Sequence, residues 1–176
     1  MPYHHLALAA KDMAAIHHFY ETVMGFELVK VEIAPVREGG WGKHFFYRMD
    51  GDNSTFIAFW ELHGVPDAEQ QEHDLNKAAG MPQGTNHYSF SVASLAELEE
   101  RHARWQAHGL DVLEIDHNWC HSIYTRDPNG NMVEFCLTTG SFPPEDRARA
   151  LAALSETSMN PSPPPASMKV WPGAAT

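Results

Sequence analysis

Two stretches of the chain repeat the same order of residue types at a near-constant offset, and this repeat constrains the fold more than any other feature. The first runs His5-Leu-Ala-Leu8, then Asp12, then Met13, Ile16, Phe19, Tyr20 and Val23 at helical spacing, and stops at Gly25. The second runs His87-Tyr-Ser-Phe-Ser-Val92, then Ser94, then Leu95, Leu98, His102 and Trp105, and stops at Gly109. His5 to His87 and Asp12 to Ser94 are each 82 positions apart, and Gly25 to Gly109 is 84. A strand, a cap and a stop that share one offset imply one structural unit used twice.

Each copy has a physical reason to fold as it does. Asp12 and Ser94 accept hydrogen bonds from the free N–H groups of a first helical turn, and Ser94 with Glu97 makes a capping box. Apolar residues three and four apart give each helix one buried stripe, and glycine suits the left-handed residue that ends it. Apolar or alternating segments follow: 26–33, 43–49 and 55–60 in the first copy, 111–115, 122–125 and 132–137 in the second. Asp50-Gly51-Asp52-Asn53 and Asp127-Pro128-Asn129-Gly130 are tight turns ahead of the last strands. The pattern is β-α-β-β-β twice, which predicts an α+β fold with a mixed sheet.

The boundaries follow. Module one covers 3–60, a polar connector covers 61–86 with a short helix near 74–79, and module two covers 87–138, all within one domain of residues 1–140. Residues 141–176 hold a helix over 144–156 and a proline-rich tail, extended or disordered, with Trp171 available to pack on a partner. Gly39-Gly40-Trp41-Gly42 reads as a flexible loop with Trp41 as a lid or an aromatic wall over the cup.

Charge and cysteine content exclude several classes. With 12 Lys and Arg against 23 Asp and Glu, the chain carries a net charge of −11. Nucleic acid is engaged by neutralising phosphates with cations, so neither it nor an anionic membrane surface is an expected partner. Cys120 and Cys136 are too few for a disulfide scaffold, and no apolar run approaches the ~20 residues of a membrane helix. A cytoplasmic protein is expected. What the composition offers instead is 12 histidines, the commonest metal-ligand side chain.

Strand alternation selects among them. His5 shares a face with Ala7 and Ala9, and His87 with Ser89 and Ser91, while Leu6, Leu8, Tyr88, Phe90 and Val92 point into the core. In the last strand Glu134 alternates with Met132 and Cys136. A carboxylate there lies on a solvated edge or is paired or metal-bound, because burying it alone is costly. His17, His18, His102 and His108 fall on or after helices and read as surface residues.

Taken together, His5-Leu-Ala-Leu with Asp12, Phe19-Tyr20, Gly25-Phe26, His87-Tyr-Ser-Phe-Ser-Val and Asp127-Pro-Asn-Gly-Asn-Met-Val-Glu134-Phe resemble the vicinal oxygen chelate superfamily. That superfamily contains glyoxalase I, bleomycin and fosfomycin resistance proteins and extradiol dioxygenases. The resemblance spans about residues 3–137. It implies two βαβββ modules forming a cupped, partly open, barrel-like mixed sheet with helices outside, and a homodimer. It also implies a divalent metal at His5, His87 and Glu134. Ala58 stands where the fourth ligand of glyoxalase I would fall, leaving two histidines and one carboxylate, the set associated with non-haem Fe(II) oxygenases; Mn(II), Zn(II) or Ni(II) would use the same donors.

The segment Ile115-Asp-His117-Asn-Trp-Cys-His121-Ser-Ile-Tyr124-Thr-Arg-Asp127 resembles the extradiol dioxygenase signature. The resemblance gives His117 and Tyr124 the role of acid-base groups touching a catechol-like aromatic diol, with dioxygen as co-substrate. Read by residue type alone, Tyr124 is equally a core strand aromatic and His117 a loop residue. One departure is Thr55, where the resemblance expects a further proton-handling histidine; His44, His63 and His73 are the replacements to consider. The other readings are a glyoxalase-like isomerase or epoxide-opening resistance enzyme using the metal as Lewis acid, and a metal-free sequestering protein.

Overall fold

The computed structural model describes residues 3–49, 51 and 55–175. Most of the turn expected at 50–53 lies outside them. In chain order the elements are β1 (His5–Ala9), α1 (Met13–His17) continuing as a π-helical turn (His18–Val23), β2 (Glu27–Pro35), β3 (Trp41–Arg48), β4 (Phe56–His63), α2 (Leu75–Ala79), β5 (His87–Ser91), α3 (Leu95–Ala107), β6 (Val112–Asp116), β7 (Cys120–Arg126), β8 (Met132–Thr138), α4 (Pro144–Ala153) and β9 (Ser167–Trp171). The doubled β-α-β-β-β order is as the repeat predicts. Four strands form a sheet in the order β1-β4-β3-β2, and five form another in the order β5-β8-β7-β6-β9. In the first sheet β1 runs parallel to β4 and the remaining pairs are antiparallel, so it is mixed.

The helix starts use the residues the sequence offers. The Asp12 carboxylate accepts from the N–H groups of Ala14 and Ala15 at 3.0 and 3.1 Å. Ser94 Oγ accepts from Glu97 N–H while the Glu97 carboxylate reaches back to Ala93 N–H at 2.9 Å, one residue ahead of the N-cap, a variant of the expected capping box. Gly25 and Gly109 take the left-handed conformation at φ 79° and 76°.

The chain divides into two compact units, residues 1–88 with 126–133, and 89–125 with 134–176. The first has an aromatic core, with the Tyr20 and Phe59 rings 4.6 Å apart and Ile16, Met24, Tyr47 and Ile57 wholly buried. In the second, Trp105 of α3 packs 5.2 Å from Phe135 of β8, beside buried Phe90, Leu98 and Val112.

The first unit is tied together by one turn. Asp127 is buried, and its Oδ2 accepts from the hydroxyls of Tyr88 at 2.5 Å and Tyr20 at 3.1 Å, while Oδ1 accepts from Asn131 N–H at 2.9 Å. Two residues on, Asn129 accepts from Lys11 N–H and donates to the Ala9 carbonyl, pinning the end of β1. Asn131 accepts from Leu75 N–H and donates to the His73 carbonyl, pinning the connector ahead of α2. The connector is therefore ordered, and its short helix begins at Asp74 as expected.

Two regions differ from the sequence expectation. Trp41 opens β3 and stacks on His63 at 4.1 Å, and Gly40 lies so close to β4 that a Cβ there would stand 2.8 Å from the His63 carbonyl oxygen. Gly40 and Trp41 thus form a packed strand entry, although Trp41 keeps 43% of its surface exposed. The last residues of the proline-rich tail form β9, antiparallel to β6 in the same chain. Trp171 donates to Glu114 at 2.7 Å and carries the Lys169 ammonium on its ring, so it packs against its own chain. The helix expected over 144–156 ends at Ala153 and buries none of its residues. No helix among the described residues is long and apolar enough to cross a membrane.

Two measurements check this account. A methyl at Gly173 would stand 2.3 Å from the Gly109 backbone, so Gly173→Ala should strain the tail's anchorage and cost about 1–3 kcal/mol, seen as a lower Tm. Burial holds the Asp127 carboxyl above its ordinary value of 3.8, although the hydrogen bonds from Tyr88, Asn131 and Tyr20 pull the other way. A raised folded-state value means that the folded protein binds this proton more tightly than the unfolded chain does. The associated stability is complete below 3.8 and is lost as the pH rises through the folded value. Thermal melts of wild type and Asp127→Asn should therefore differ most in favour of wild type in acid, and the difference should shrink toward neutrality; parallel curves would contradict the assignment.

Candidate functional site

In the second unit, three residues singled out in the sequence come together. Tyr124 on β7 and Glu134 on β8 lie on neighbouring strands, and His117 sits in the turn between β6 and β7. His117 Nε2 is 2.9 Å from the Tyr124 hydroxyl. Tyr124 and Glu134 are both buried, with Glu134 only 5% exposed. Burial is the main cause that lifts the Tyr124 phenol well above its ordinary range, and the charge and hydrogen bonding of Glu134 push it further the same way. One phenol proton thus lies between an imidazole and a carboxylate, and the phenol stays protonated at neutral pH. Beneath it Cys120 Sγ is 3.8 Å from Ser122 Oγ, and burial, with Cys136 and Glu134 adding, raises this thiol to about 11. A thiol in that state is a packing group, not a nucleophile.

His87 begins β5, whose exposure alternates as the strand argument requires: His87, Ser89 and Ser91 are open, and Tyr88 and Phe90 are buried. His87 Nδ1 stands 3.0 Å from the Gly84 carbonyl oxygen. A carbonyl only accepts, so Nδ1 carries the proton and Nε2 carries the lone pair. Fixing the tautomer through the remote nitrogen is the arrangement that metal-binding histidines use.

In the first unit, His5 shares the exposed face of β1 with Ala7. Its Nδ1 is 2.9 Å from His4 Nδ1, and its ring packs edge-on to Phe46 at 5.5 Å and His44 at 6.1 Å. The register sets Ala58 beside Ala7, so a small buried residue stands at the position compared with a fourth ligand. Among the described residues, no group of three or more His, Cys, Asp and Glu side chains is set to hold a metal ion. His5 belongs to the first unit and Glu134 to the second.

Of the histidines considered in place of Thr55, His44 is the neighbour of His5. It is buried, stacks on Trp60 at 4.1 Å, and its Nε2 has no hydrogen-bond partner. His63 stacks on Trp41, and His73 is tied to the Gln71 carbonyl. Sequence reasoning named His44 without ranking it. The informative signal is the register, which pairs His44 with Trp60 and Glu32 on the face that also carries His5. His121 bonds Glu114 at 2.8 Å on the opposite side of β7 from Tyr124.

Comparison with known proteins bears on this geometry. Residues 3–135 match the model of the Glyoxalase/Bleomycin resistance protein/Dioxygenase superfamily. The chain is 30% identical over 106 residues to biphenyl-2,3-diol 1,2-dioxygenase 2 from Rhodococcus globerulus, a match that takes in 56% of this chain and 53% of that protein. The chain thus spans about half the length of the curated relative it matches. Among solved structures, it resembles a glyoxylase/bleomycin resistance protein/dioxygenase domain from Frankia sp. EAN1pec with a TM-score of 0.61 at 16% identity, over 81% of this chain and 96% of that one. It also resembles the fosfomycin resistance protein FosX of Listeria monocytogenes, solved with Mn(II) and sulfate, with a TM-score of 0.51 at 18% identity over 84% and 97% of the two chains. These likenesses concern the fold. With the doubled module and a family match that covers most of its length, the chain belongs to the Glyoxalase/Bleomycin resistance protein/Dioxygenase superfamily.

Proposed function

We propose that this chain is a non-haem Fe(II) dioxygenase that opens a catechol-like aromatic diol in the extradiol manner. The observation that carries the reading is the run from half-buried His117 to buried Tyr124 and Glu134, with the imidazole 2.9 Å from the phenol. Similarity to a biphenyl-2,3-diol dioxygenase agrees with that substrate class.

His5, His87 and Glu134 would hold the metal. By residue type the donors suit it, although no three such side chains among the described residues are set around one point: an exposed imidazole with its Nδ1 proton directed at the Gly84 carbonyl, a second exposed imidazole, and a buried carboxylate. Bound there, Fe(II) would act as a Lewis acid toward the vicinal oxygens of the diol and as a conduit for electrons to dioxygen. Mn(II), Zn(II) or Ni(II) would share the donors, and Zn(II), being redox-inert, would keep only the Lewis-acid role.

The protein groups account for the protons. A neutral His117 imidazole takes a proton from an ionising diol hydroxyl, within the usual role of histidine as a general base. Tyr124, kept protonated by burial and by Glu134, is a hydrogen-bond donor that steadies the resulting oxyanion. His44, beside His5 with an unpartnered Nε2, takes the place that Thr55 cannot fill. The reading includes a homodimer working in a reducing cytoplasm, where Cys120 and Cys136 remain thiols.

Anaerobic purification with Fe(II) loading, metal quantification and an oxygen electrode test the proposal. Wild type should retain iron, consume oxygen with catechols and release a yellow ring-opened product, and His87→Ala should lose the metal. Tyr124→Phe and His117→Ala should keep their iron yet turn over about 10²-fold more slowly or worse. Metal-dependent turnover without oxygen uptake would replace this reading with Lewis-acid chemistry, and aromatic binding by a protein that takes up no metal would replace it with sequestration.

A further inference from the structure

β2 ends the first sheet, and it differs from an ordinary edge strand. Only Leu28 and Ala34 of its nine residues are even half-buried, and the five between them are exposed on both faces. Val29, Val31 and Ile33 are exposed by 38, 43 and 64%, on a strand already held to β3 along its other edge. Among the described residues no strand pairs with its outer edge. A long, open, apolar edge is a template for pairing with another chain. β9, one edge of the other sheet, is shorter and sits between prolines at 163–165 and Pro172, which discourages such pairing.

The sequence of β2 says which chain fits. Glu27-Leu-Val-Lys-Val-Glu-Ile-Ala-Pro35 is its own antiparallel complement about Val31. A two-fold axis through Val31 sets Val31 against the partner's Val31, Lys30 against the partner's Glu32, Glu32 against the partner's Lys30, and Val29 and Ile33 against each other. Within one chain Lys30 and Glu32 already lie side by side at 2.6 Å, with 61 and 56% of their side chains exposed. Charges placed to guard an edge would meet like charges when two copies approach; these meet opposite ones, as cross-strand pairing favours. The usable stretch has a defined start, because the Glu21 carboxylate caps Leu28 N–H at 2.8 Å and the register with β3 shifts between Leu28 and Lys30. Beyond that shift the strand runs in regular register to Pro35.

We infer that β2 is an interaction surface for a second copy of this chain, two β2 strands pairing antiparallel about Val31 to join two four-stranded sheets into one of eight. Such an interface is isologous, the same patch serving both partners. It rests on the homodimer of the proposed reading, to which it gives a surface, and is independent of the reaction.

Sedimentation velocity over a range of concentrations tests it on the whole chain. Wild type should dimerise, less tightly as salt is raised. Lys30→Glu and Glu32→Lys should each raise the dissociation constant by about tenfold or more, because each places like charges opposite one another twice. The double variant Lys30→Glu with Glu32→Lys restores opposite pairs and should recover the dimer. These side chains are exposed, so the far-UV circular dichroism of each variant should stay that of the folded wild type. Val31→Cys should crosslink two chains with diamide, two thiols giving one disulfide as the diazene takes up both electrons and both protons; wild type treated alike reports the background from Cys120 and Cys136. A wild type that stays monomeric, or a dimer that ignores both charge reversals and yields no Val31→Cys crosslink, overturns the inference.

Discussion

Asp127 is a carboxylate that water cannot reach, and the first unit is organised around satisfying it. An isolated charge in such a place would cost several kcal/mol. Here two tyrosine hydroxyls and a backbone N–H converge on it, from the helical segment after β1, from β5 and from its own turn. Because the donors come from elements far apart in sequence, the bonds form only when those elements are in place, which makes the turn a check on the whole arrangement. Asn129 and Asn131 extend the check to the end of β1 and to the connector. Tyr88 is also the immediate neighbour of His87. The bond that anchors the core side of β5 therefore fixes which way the histidine beside it must face, since adjacent strand residues point to opposite sides.

The same logic of paired polar groups governs the second unit. Glu134 is buried and adjoins a phenol, which adjoins an imidazole. On the other face of that sheet a second carboxylate, Glu114, is held by His121 and by Trp171 of the C-terminal strand. The two clusters contain similar groups and differ in use. Glu114 fastens the tail to β6, whereas Glu134 lies among the residues that the family resemblance marks for chemistry. An excess of eleven negative charges over the whole chain predicts neither cluster. Local pairing sets the charge a ligand would meet.

Much of the fold was legible because its signals are local. Cap residues, helix stops and strand alternation act within a few positions, and Asp12, the Ser94 and Glu97 box, Gly25 and the His87 to Ser91 strand all behave as their residue types require. Misreadings came where a residue's role is set by a distant neighbour. Gly40 and Trp41 look like a flexible loop until β4 is laid against them. The proline-rich tail reads only as extended or disordered, and it is the open edge of β6 that makes Ser167–Trp171 a paired strand. Tyr20 and Tyr88 pass as core aromatics, and nothing local reveals that their hydroxyls share one carboxylate.

The sequence by itself determined the doubled βαβββ order, the faces of β1 and β5 on which His5 and His87 stand, and the membership of His117, Tyr124 and Glu134 in one motif. Periodicity and capping are properties of contiguous residues, so they can be read without a partner. Only the tertiary structure decided that the Tyr124 phenol lies between His117 and Glu134, that Asp127 is the shared acceptor, that His44 neighbours His5, and that β2 is left open on both faces. Each of these depends on which strands lie side by side and in what register, and that outcome is set by the packing of the whole chain.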